Sequence, residues 1–211
     1  MFLLRPPSRD RLDAVLAASA GAAFTYDEVG ASEPLAGHAR PGTTLPEGYR
    51  HGRWAGVVGE GESDFDRARA ALRAWSQHRE QGFTVVPDDP PITVGTEVLT
   101  VLRVPPVNVL AVCRVVWVVD EADRFGFAYG TLPTHPASGE EAFVVVRTPS
   151  GRVEFQVTVF SRAHHPLMRL GGPLARWQQG RAGAGYVNAL RRAMGSSGTD
   201  ASNAAGAAER G

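Results

Sequence analysis

The chain has 211 residues, and its 22 basic residues balance 22 acidic ones, so the formal net charge at pH 7 is zero. This length suits one domain, and the lack of any long run of one charge argues against a nucleic-acid partner. All the basic residues are arginine, which excludes a lysine Schiff base and a Walker-type phosphate loop. Cys113 is the single cysteine, which excludes an internal disulfide and a cysteine-rich zinc site. We predict neither a metal nor a cofactor.

The chain starts with a short apolar stretch that ends at Arg5 and is followed by two prolines. This start lacks the apolar core of a signal peptide. No apolar run reaches the roughly 18 residues that a membrane-spanning helix needs. We therefore expect a cytoplasmic protein without a membrane span.

Residues 1–21 are predicted to form an N-terminal arm with a short helix, which Ser8 caps and which ends at about Ala18. The pattern of Phe24–Val29 predicts a short strand. Residues 30–52 are rich in glycine and proline, which is typical of a long surface connection.

The first strongly periodic stretch predicts a helix from about Asp64 to Glu80, with Ser63 as its cap. Apolar residues recur along it at steps of three and four positions, which places them on one helix face. They are Phe65, Ala68, Leu72 and Trp75. We expect Trp75 to anchor the core.

From residue 83 to residue 162, short breaks separate runs of apolar residues, which predicts successive antiparallel strands. Parallel neighbours would need crossovers of a dozen or more residues. The predicted strands are Phe83–Val86, Gly95–Val104, Val107–Val119, Arg124–Leu132, Glu140–Arg147 and Arg152–Arg162. Apolar and polar residues alternate in the last of them, which indicates one buried face.

The last predicted element is a long helix from about Pro166 or Pro173 to Met194, which a Gly-Gly-Pro sequence should kink or restart. Residues 195–211 have no large apolar run to bury, and we expect a disordered tail. The predicted fold class is α+β: a curved antiparallel sheet wrapped around the C-terminal helix, with residues 22–194 as one domain.

Residues 129–141 read Tyr-Gly-Thr-Leu-Pro-Thr-His-Pro-Ala-Ser-Gly-Glu-Glu, which resembles the signature of an uncharacterised family. That family is domain of unknown function nineteen-ninety, or uncharacterised protein family 0548. Shorter matching motifs follow the same order, at residues 25–30, 48–49, 71–75, 113–116, 160–162 and 170–178. Thr134 departs from the pattern, because the family often has glycine there. The resemblance spans residues 22 to 194 and implies no activity, since none is established for the family.

The order of the elements resembles the helix-grip fold of the birch-pollen-allergen and steroidogenic lipid-transfer superfamily. In such proteins the sheet wraps the last helix and leaves a cavity between them. The resemblance therefore implies a small hydrophobic or amphipathic ligand. One face of the strand at residues 125–131 carries only Gly126, Ala128 and Gly130, and such small residues would leave space for a ligand.

The other face of that strand is aromatic, because side chains alternate along a strand. If this face is concave, it supplies the groups that orient a ligand in an apolar pocket. If it is convex, its residues are ordinary cross-strand partners. The candidate ligand-lining residues are three from this face and two tryptophans from elsewhere in the chain: Phe127, Tyr129, Thr131, Trp117 and Trp177.

Arg114 is a charged residue in the middle of an apolar strand. Such a residue needs a carboxylate partner or an exit to solvent. It is a candidate anchor for a ligand carboxylate, since arginine forms bidentate pairs, and the alternative is a structural salt bridge.

His135 with Glu140 or Glu141 is the candidate catalytic set, because an imidazole beside a carboxylate can act as a general base. The alternative is that His135 braces the turn while one glutamate accepts hydrogen bonds from backbone amides. Neighbours in a strand point to opposite faces, so at most one of the two glutamates should face a cavity.

Three functional hypotheses follow. The first is a non-enzymatic binder of a small hydrophobic or amphipathic molecule, held between the sheet and the C-terminal helix. The second is an enzyme on the same scaffold, a cyclase, isomerase or hydrolase that uses His135 with Glu140 or Glu141. The third is an interaction module without a pocket.

Overall fold

The computed structural model describes residues 1–37, 44–164 and 184–195. Eight strands of these residues form one sheet. They are β1 (Phe2–Leu3), β2 (Arg50–Glu60), β3 (Thr84–Val86), β4 (Glu97–Val104), β5 (Val107–Asp120), β6 (Arg124–Thr131), β7 (Ala137–Arg147) and β8 (Arg152–Ala163). Their order is β2-β8-β7-β6-β5-β4-β3, with β1 paired to the start of β5, and all neighbours are antiparallel. The predicted α+β class with an antiparallel sheet is confirmed.

The six predicted strands correspond to β3 to β8. The largest difference lies in β7, which begins at Ala137 rather than Glu140. It begins earlier because Ala137, Ser138 and Gly139 pair with the end of β8. The turn that holds His135 is therefore shorter than predicted.

Strand β2 lies where no strand is predicted. Most of its side chains are exposed or half-buried, it contains three glycines, and it lies at the sheet edge beside β8. An edge strand of this kind carries no apolar alternation to recognise. Conversely, the predicted strand Phe24–Val29 is wrong, because this segment forms turns and bends over the sheet.

Helix α1 (Arg9–Ala18) begins where it was predicted, and the Ser8 side chain accepts a hydrogen bond from the Arg11 amide. The predicted helix from Asp64 to Glu80 is instead two helices, α2 (Gly61–Arg73) and α3 (Ser76–Arg79). Glu60, not Ser63, is the N-cap of α2.

Trp75 separates α2 from α3. Its backbone is left-handed, with a φ of 57°, which is uncommon for a bulky residue. The side chain has no exposed surface, and its Nε1 donates a hydrogen bond to the Pro90 carbonyl at 3.0 Å. This break turns the tryptophan ring into the core and places His78 on the same side.

Helices cover both faces of the sheet. We call the face under α2, α3 and the helical residues 184–193 (α4) the inner face, because the main core cluster lies there. Helix α1 packs through Leu12 on the opposite, outer face. The start of the predicted C-terminal helix, with its kink and Trp177, lies outside the described residues. None of the helices within the described ranges is both long and apolar enough to cross a membrane.

Helix α4 is tied to the sheet edge and to α3. Arg191 Nε donates to the Val57 carbonyl of β2, and Arg192 Nη2 donates to the Glu80 carbonyl, both at 2.8 Å. Tyr186 and Leu190 are buried in the main core cluster. The helix therefore closes over the inner face between β2 and α3.

Candidate functional site

A cavity of about 700 Å³ lies between the inner face of the sheet and α4. Its wall is formed by residues of β1, β2 and β4 to β8, by the segment between α3 and β3, and by helix α4. Its lining includes Trp54, Phe83, Leu102, Tyr129, Glu141 and Tyr186. Protein interiors seldom leave voids much larger than a water molecule, so an opening of this size is the leading candidate for a site.

Strand β6 presents its aromatic face to the inside. Phe127 packs against Trp75 in the core with ring centroids 4.9 Å apart, while Tyr129 and Thr131 lie further along the strand and line the cavity. The predicted role of the bare face is wrong. It faces outward, and Tyr26 covers Gly130 so closely that a Cβ there would collide with the tyrosine ring. Gly130 therefore accommodates Tyr26, Gly126 lies close to the β7 backbone, and Ala128 packs in the outer core cluster with Ala36 and Trp117.

A hydrogen-bonded chain of three side chains leads from the cavity wall into the core. The Tyr129 hydroxyl donates to Glu141 Oε2 at 2.7 Å, and His78 Nε2 lies 2.9 Å from the same hydroxyl. A phenol has one proton, so a Tyr129 that donates to an ionised Glu141 must accept from His78. That arrangement places the His78 proton on Nε2. His78 Nδ1 is buried without a partner among the described residues.

The surroundings of this chain disfavour charge. Burial raises the pKa of the Glu141 carboxyl from 4.5 to about 7, although the hydrogen bond from Tyr129 opposes the shift. Burial lowers the pKa of His78 to about 3, and it raises the pKa values of Tyr129 and Tyr186 well above their usual range. At neutral pH, Glu141 is therefore the member of this group that changes its protonation state.

Glu140 points to the outer face and has a different environment. Its carboxylate accepts hydrogen bonds from the Tyr26 hydroxyl and the Gly30 amide, both at 2.8 Å. It also accepts from the amide and the hydroxyl of Ser32. The prediction that the two glutamates face opposite sides agrees with these contacts. Four donors make Glu140 a structural tie between β7 and the N-terminal segment.

His135 lies at another part of the cavity wall. Its Nδ1 lies 2.9 Å from the Ala137 amide nitrogen and 3.0 Å from the Ala137 carbonyl oxygen, so the backbone satisfies this nitrogen in either tautomer. Burial lowers the pKa of His135 to about 4. The hydrogen bonds of the described residues join His135 to neither glutamate.

Arg114 and Trp117 lie on the outer face, away from the cavity. Arg114 Nη2 pairs with Glu97 at 2.6 Å, and its guanidinium lies over the Phe24 ring. A β-bulge in β5 between Val115 and Trp117 reverses the facing of the residues beyond it. Trp117 therefore donates through Nε1 to Ser32 Oγ at 3.0 Å rather than lining the cavity.

Sequence reasoning missed three contributors, His78, Phe83 and Tyr186. Each comes from an element far from the signature at residues 129–141, and only the folded chain brings them together. One signal for His78 was present, because it follows Trp75 by three positions, a spacing that would place both on one side of the single helix predicted there. Within the described ranges no cluster of histidine, cysteine or acidic side chains could hold a metal ion.

The raised pKa of Glu141 gives a pH-dependent stability. Between the value of 4.5 in the unfolded chain and about 7 in the folded protein, the unfolded chain loses this proton first, so folding weakens as the pH rises. Relative to Glu141→Gln, the wild type should lose on the order of 3 kcal/mol of unfolding free energy across this interval. Denaturant unfolding at pH 4.5 to 8 measures the difference.

The control for this prediction is Glu154→Gln on β8. Its carboxylate forms an ion pair with Arg152, whose side chain is largely exposed. The difference between this variant and the wild type should stay nearly constant over the same pH range. Parallel pH profiles for the wild type and Glu141→Gln would show that Glu141 has an ordinary pKa.

The comparisons with known proteins place the chain among uncharacterised relatives. The family model described as Domain of unknown function (DUF1990) matches residues 25–189. A UPF0548 protein of Deinococcus radiodurans is 39% identical over 207 residues, which cover 92% of this chain and 100% of that protein. A UPF0548 protein of Arabidopsis thaliana is 28% identical over 130 residues, or 58% of this chain and 62% of that one.

Among solved structures, a START superfamily protein from Mycobacterium smegmatis is similar with a TM-score of 0.48 and 11% identity. The match covers 69% of this chain and 97% of that chain. The family model extends over most of the sequence, and the bacterial relative matches along its whole length. The chain therefore belongs to the DUF1990 family, as its signature at residues 129–141 implied.

Proposed function

We propose that the protein binds one small hydrophobic or amphipathic molecule in the cavity between the sheet and α4. The cavity itself carries this proposal, because its volume of about 700 Å³ falls in the range of about 300–1,000 Å³ typical of small-molecule sites. An interaction module without a pocket would have filled this space with its own side chains. The cavity therefore supports binding over that alternative.

The lining fits an apolar body with a few hydrogen-bonding groups. Aromatic and aliphatic side chains form much of the wall, including Trp54, Phe83 and Leu102. The lining also contains the polar side chains of Tyr129 and Glu141, which are joined by one hydrogen bond. Binding sites for small molecules commonly combine an apolar wall with a small number of polar groups that fix orientation.

Two arginines add positively charged groups to the cavity lining. Arg103, near the end of β4, is exposed, and Arg192 of α4 is about half exposed while it also contacts Glu80. Both belong to the cavity lining. A guanidinium at an exposed edge suits the polar or anionic end of an amphipathic molecule. Arg114 cannot have this role, since it pairs with Glu97 on the outer face.

A thermal-shift panel of fatty acids, isoprenoids and aromatic polyketides tests the proposal. A ligand that binds only the folded state at 100 times its Kd stabilises the protein by about 2.7 kcal/mol. For a chain of this size that corresponds to a rise in Tm of roughly 5–10 °C. We expect at least one class of the panel to give a saturable rise.

Ala111→Phe is the matched test of location. Ala111 lines the cavity, so the added ring should occupy ligand space and abolish the rise. Ala55→Phe adds the same ring at an exposed position of β2 and should leave the rise unchanged. A panel without any rise in the wild type, or an equal rise in Ala111→Phe, would contradict binding in this cavity.

A further inference from the structure

Glu140 and Glu141 are neighbours in one strand, yet the fold treats them differently. The Glu140 carboxylate accepts from four donors on the outer face. Glu141 accepts one side-chain hydrogen bond, from Tyr129 to its Oε2. Its Oε1 has no hydrogen-bond donor among the described residues, and Glu141 lines the cavity.

The hydrogen-bond network of Glu141, Tyr129 and His78 also leaves one buried polar atom unpaired within the described ranges. A buried polar network that serves stability alone should satisfy its members, since an unpaired buried polar atom costs free energy. Here the far end, His78 Nδ1, is buried without a partner in the described part of the chain. An unsatisfied buried polar group calls for an explanation, and a catalytic role nearby is one of the recognised explanations.

From this geometry we infer that Glu141 is the acid–base residue of a proton-transfer site in the cavity, with Tyr129 and His78 as its positioning residues. The inference rests on the proposed function, because a substrate must first enter the cavity. It names the substrate class as an apolar molecule with an activated C–H bond. Glu141 takes the place that the sequence assigned to His135, whose Nδ1 the backbone already occupies.

The proton-transfer step needs no oxidant or further reactant. Glu141 Oε1 accepts the proton as the C–H bond breaks, the electron pair of that bond forms a new π bond, and the π pair of the adjacent activating carbonyl moves onto its oxygen. In an isomerisation the same carboxyl returns the proton to another carbon. Tyr129 holds the carboxylate through Oε2, which leaves Oε1 available to accept the proton.

The probe for this step is 5-nitrobenzisoxazole, a flat apolar molecule with one acidic C–H bond. A base removes that proton, the C–H electron pair completes a nitrile, and the N–O bond breaks to give a coloured phenolate. We expect the wild type to open the ring at least about 100-fold faster than Glu141→Gln. Glu154→Gln should keep the wild-type rate. Ala111→Phe should lose the activity with Glu141 intact.

The pH profile distinguishes proton transfer from mere solvation of the probe. The rate should rise with pH around a midpoint near 7, where Glu141 ionises. The other titratable groups around it are Tyr129 of β6, His78 of α3, Tyr186 of α4 and Cys113 of β5, and burial keeps all of them neutral there. Tyr129→Phe removes the hydrogen bond that lowers the pKa of Glu141, so its midpoint should move upward.

Calorimetric measurement of binding of the same probe distinguishes ligand binding in the cavity from acid–base catalysis by Glu141. Binding to both wild type and Glu141→Gln with equal, slow ring opening would overturn the acid–base role and leave the ligand site standing. No binding of this probe and no stabilisation by any member of the ligand panel would overturn both. A melting curve confirms that Glu141→Gln is folded.

Discussion

Replacing Glu140 with glutamine should lower the unfolding free energy by about 3–5 kcal/mol, since hydrogen bonds to a buried charged group contribute about 1.5–3 kcal/mol each. The carboxylate gathers donors from Tyr26, Gly30 and Ser32, which lie more than 100 positions away in the chain. A glutamine keeps the shape but presents an NH₂ group to donors, so at least two of them lose their acceptor. Denaturant unfolding at pH 7 measures the loss.

Glu154→Gln again provides the control for Glu140→Gln. It removes the same charge from a partly exposed ion pair, and such pairs contribute about 0–1 kcal/mol. A loss below about 1 kcal/mol for Glu140→Gln as well would show that the outer-face network adds little to stability. The N-terminal segment would then be held by its apolar contacts alone.

Trp75→Ala should destabilise the protein by about 3–5 kcal/mol, the usual range for truncating a large buried aromatic residue. The ring has no exposed surface and packs against Phe127 and His78, with ring centroids 4.9 Å and 5.3 Å away. Its removal also leaves the Pro90 carbonyl without the indole donor. Thermal and denaturant unfolding both report the loss.

Trp75→Phe separates packing from the hydrogen bond. It keeps an aromatic ring in the core and loses the donor to Pro90, so we expect a smaller loss of about 1–2 kcal/mol. If Trp75→Ala and Trp75→Phe were equally destabilised, the hydrogen bond rather than the ring would dominate. A near-neutral Trp75→Ala would contradict the position of this residue at the centre of the core.

Local patterns in the sequence were sufficient to predict most of the sheet. In β8, Val153, Phe155 and Val157 alternate with polar residues, and the structure buries these three completely. The short breaks between strands required antiparallel neighbours, as found. These features depend on residues that are close in sequence, and a single chain shows them directly.

Other features depend on contacts between distant parts of the chain. The left-handed Trp75 breaks a helix whose periodicity continues past it, and its reason lies in the Pro90 carbonyl and the core. The β-bulge before Trp117 turns its side chain to the opposite face of the sheet, and no glycine or proline in the sequence marks the position of this bulge. Strand β2 is at the sheet edge with largely exposed side chains, so its sequence lacks the pattern of a buried strand.

The candidate site was predictable in part for the same reason. Alternation along β7 required Glu140 and Glu141 to face opposite sides, and their contacts follow that rule. Which of the two is fully hydrogen-bonded depends on residues 26–32, and which faces the cavity depends on the position of α4. Neither is encoded in the signature at residues 129–141.

Native mass spectrometry of the wild type and Ala111→Phe, each mixed with the panel ligand that raises Tm most, tests the central claim most directly. We expect a complex of one ligand per chain for the wild type and bare chain mass for Ala111→Phe, because the added ring occupies space that the ligand needs. Bare chain mass for the wild type, or the same complex for both proteins, would contradict a ligand site between the sheet and α4.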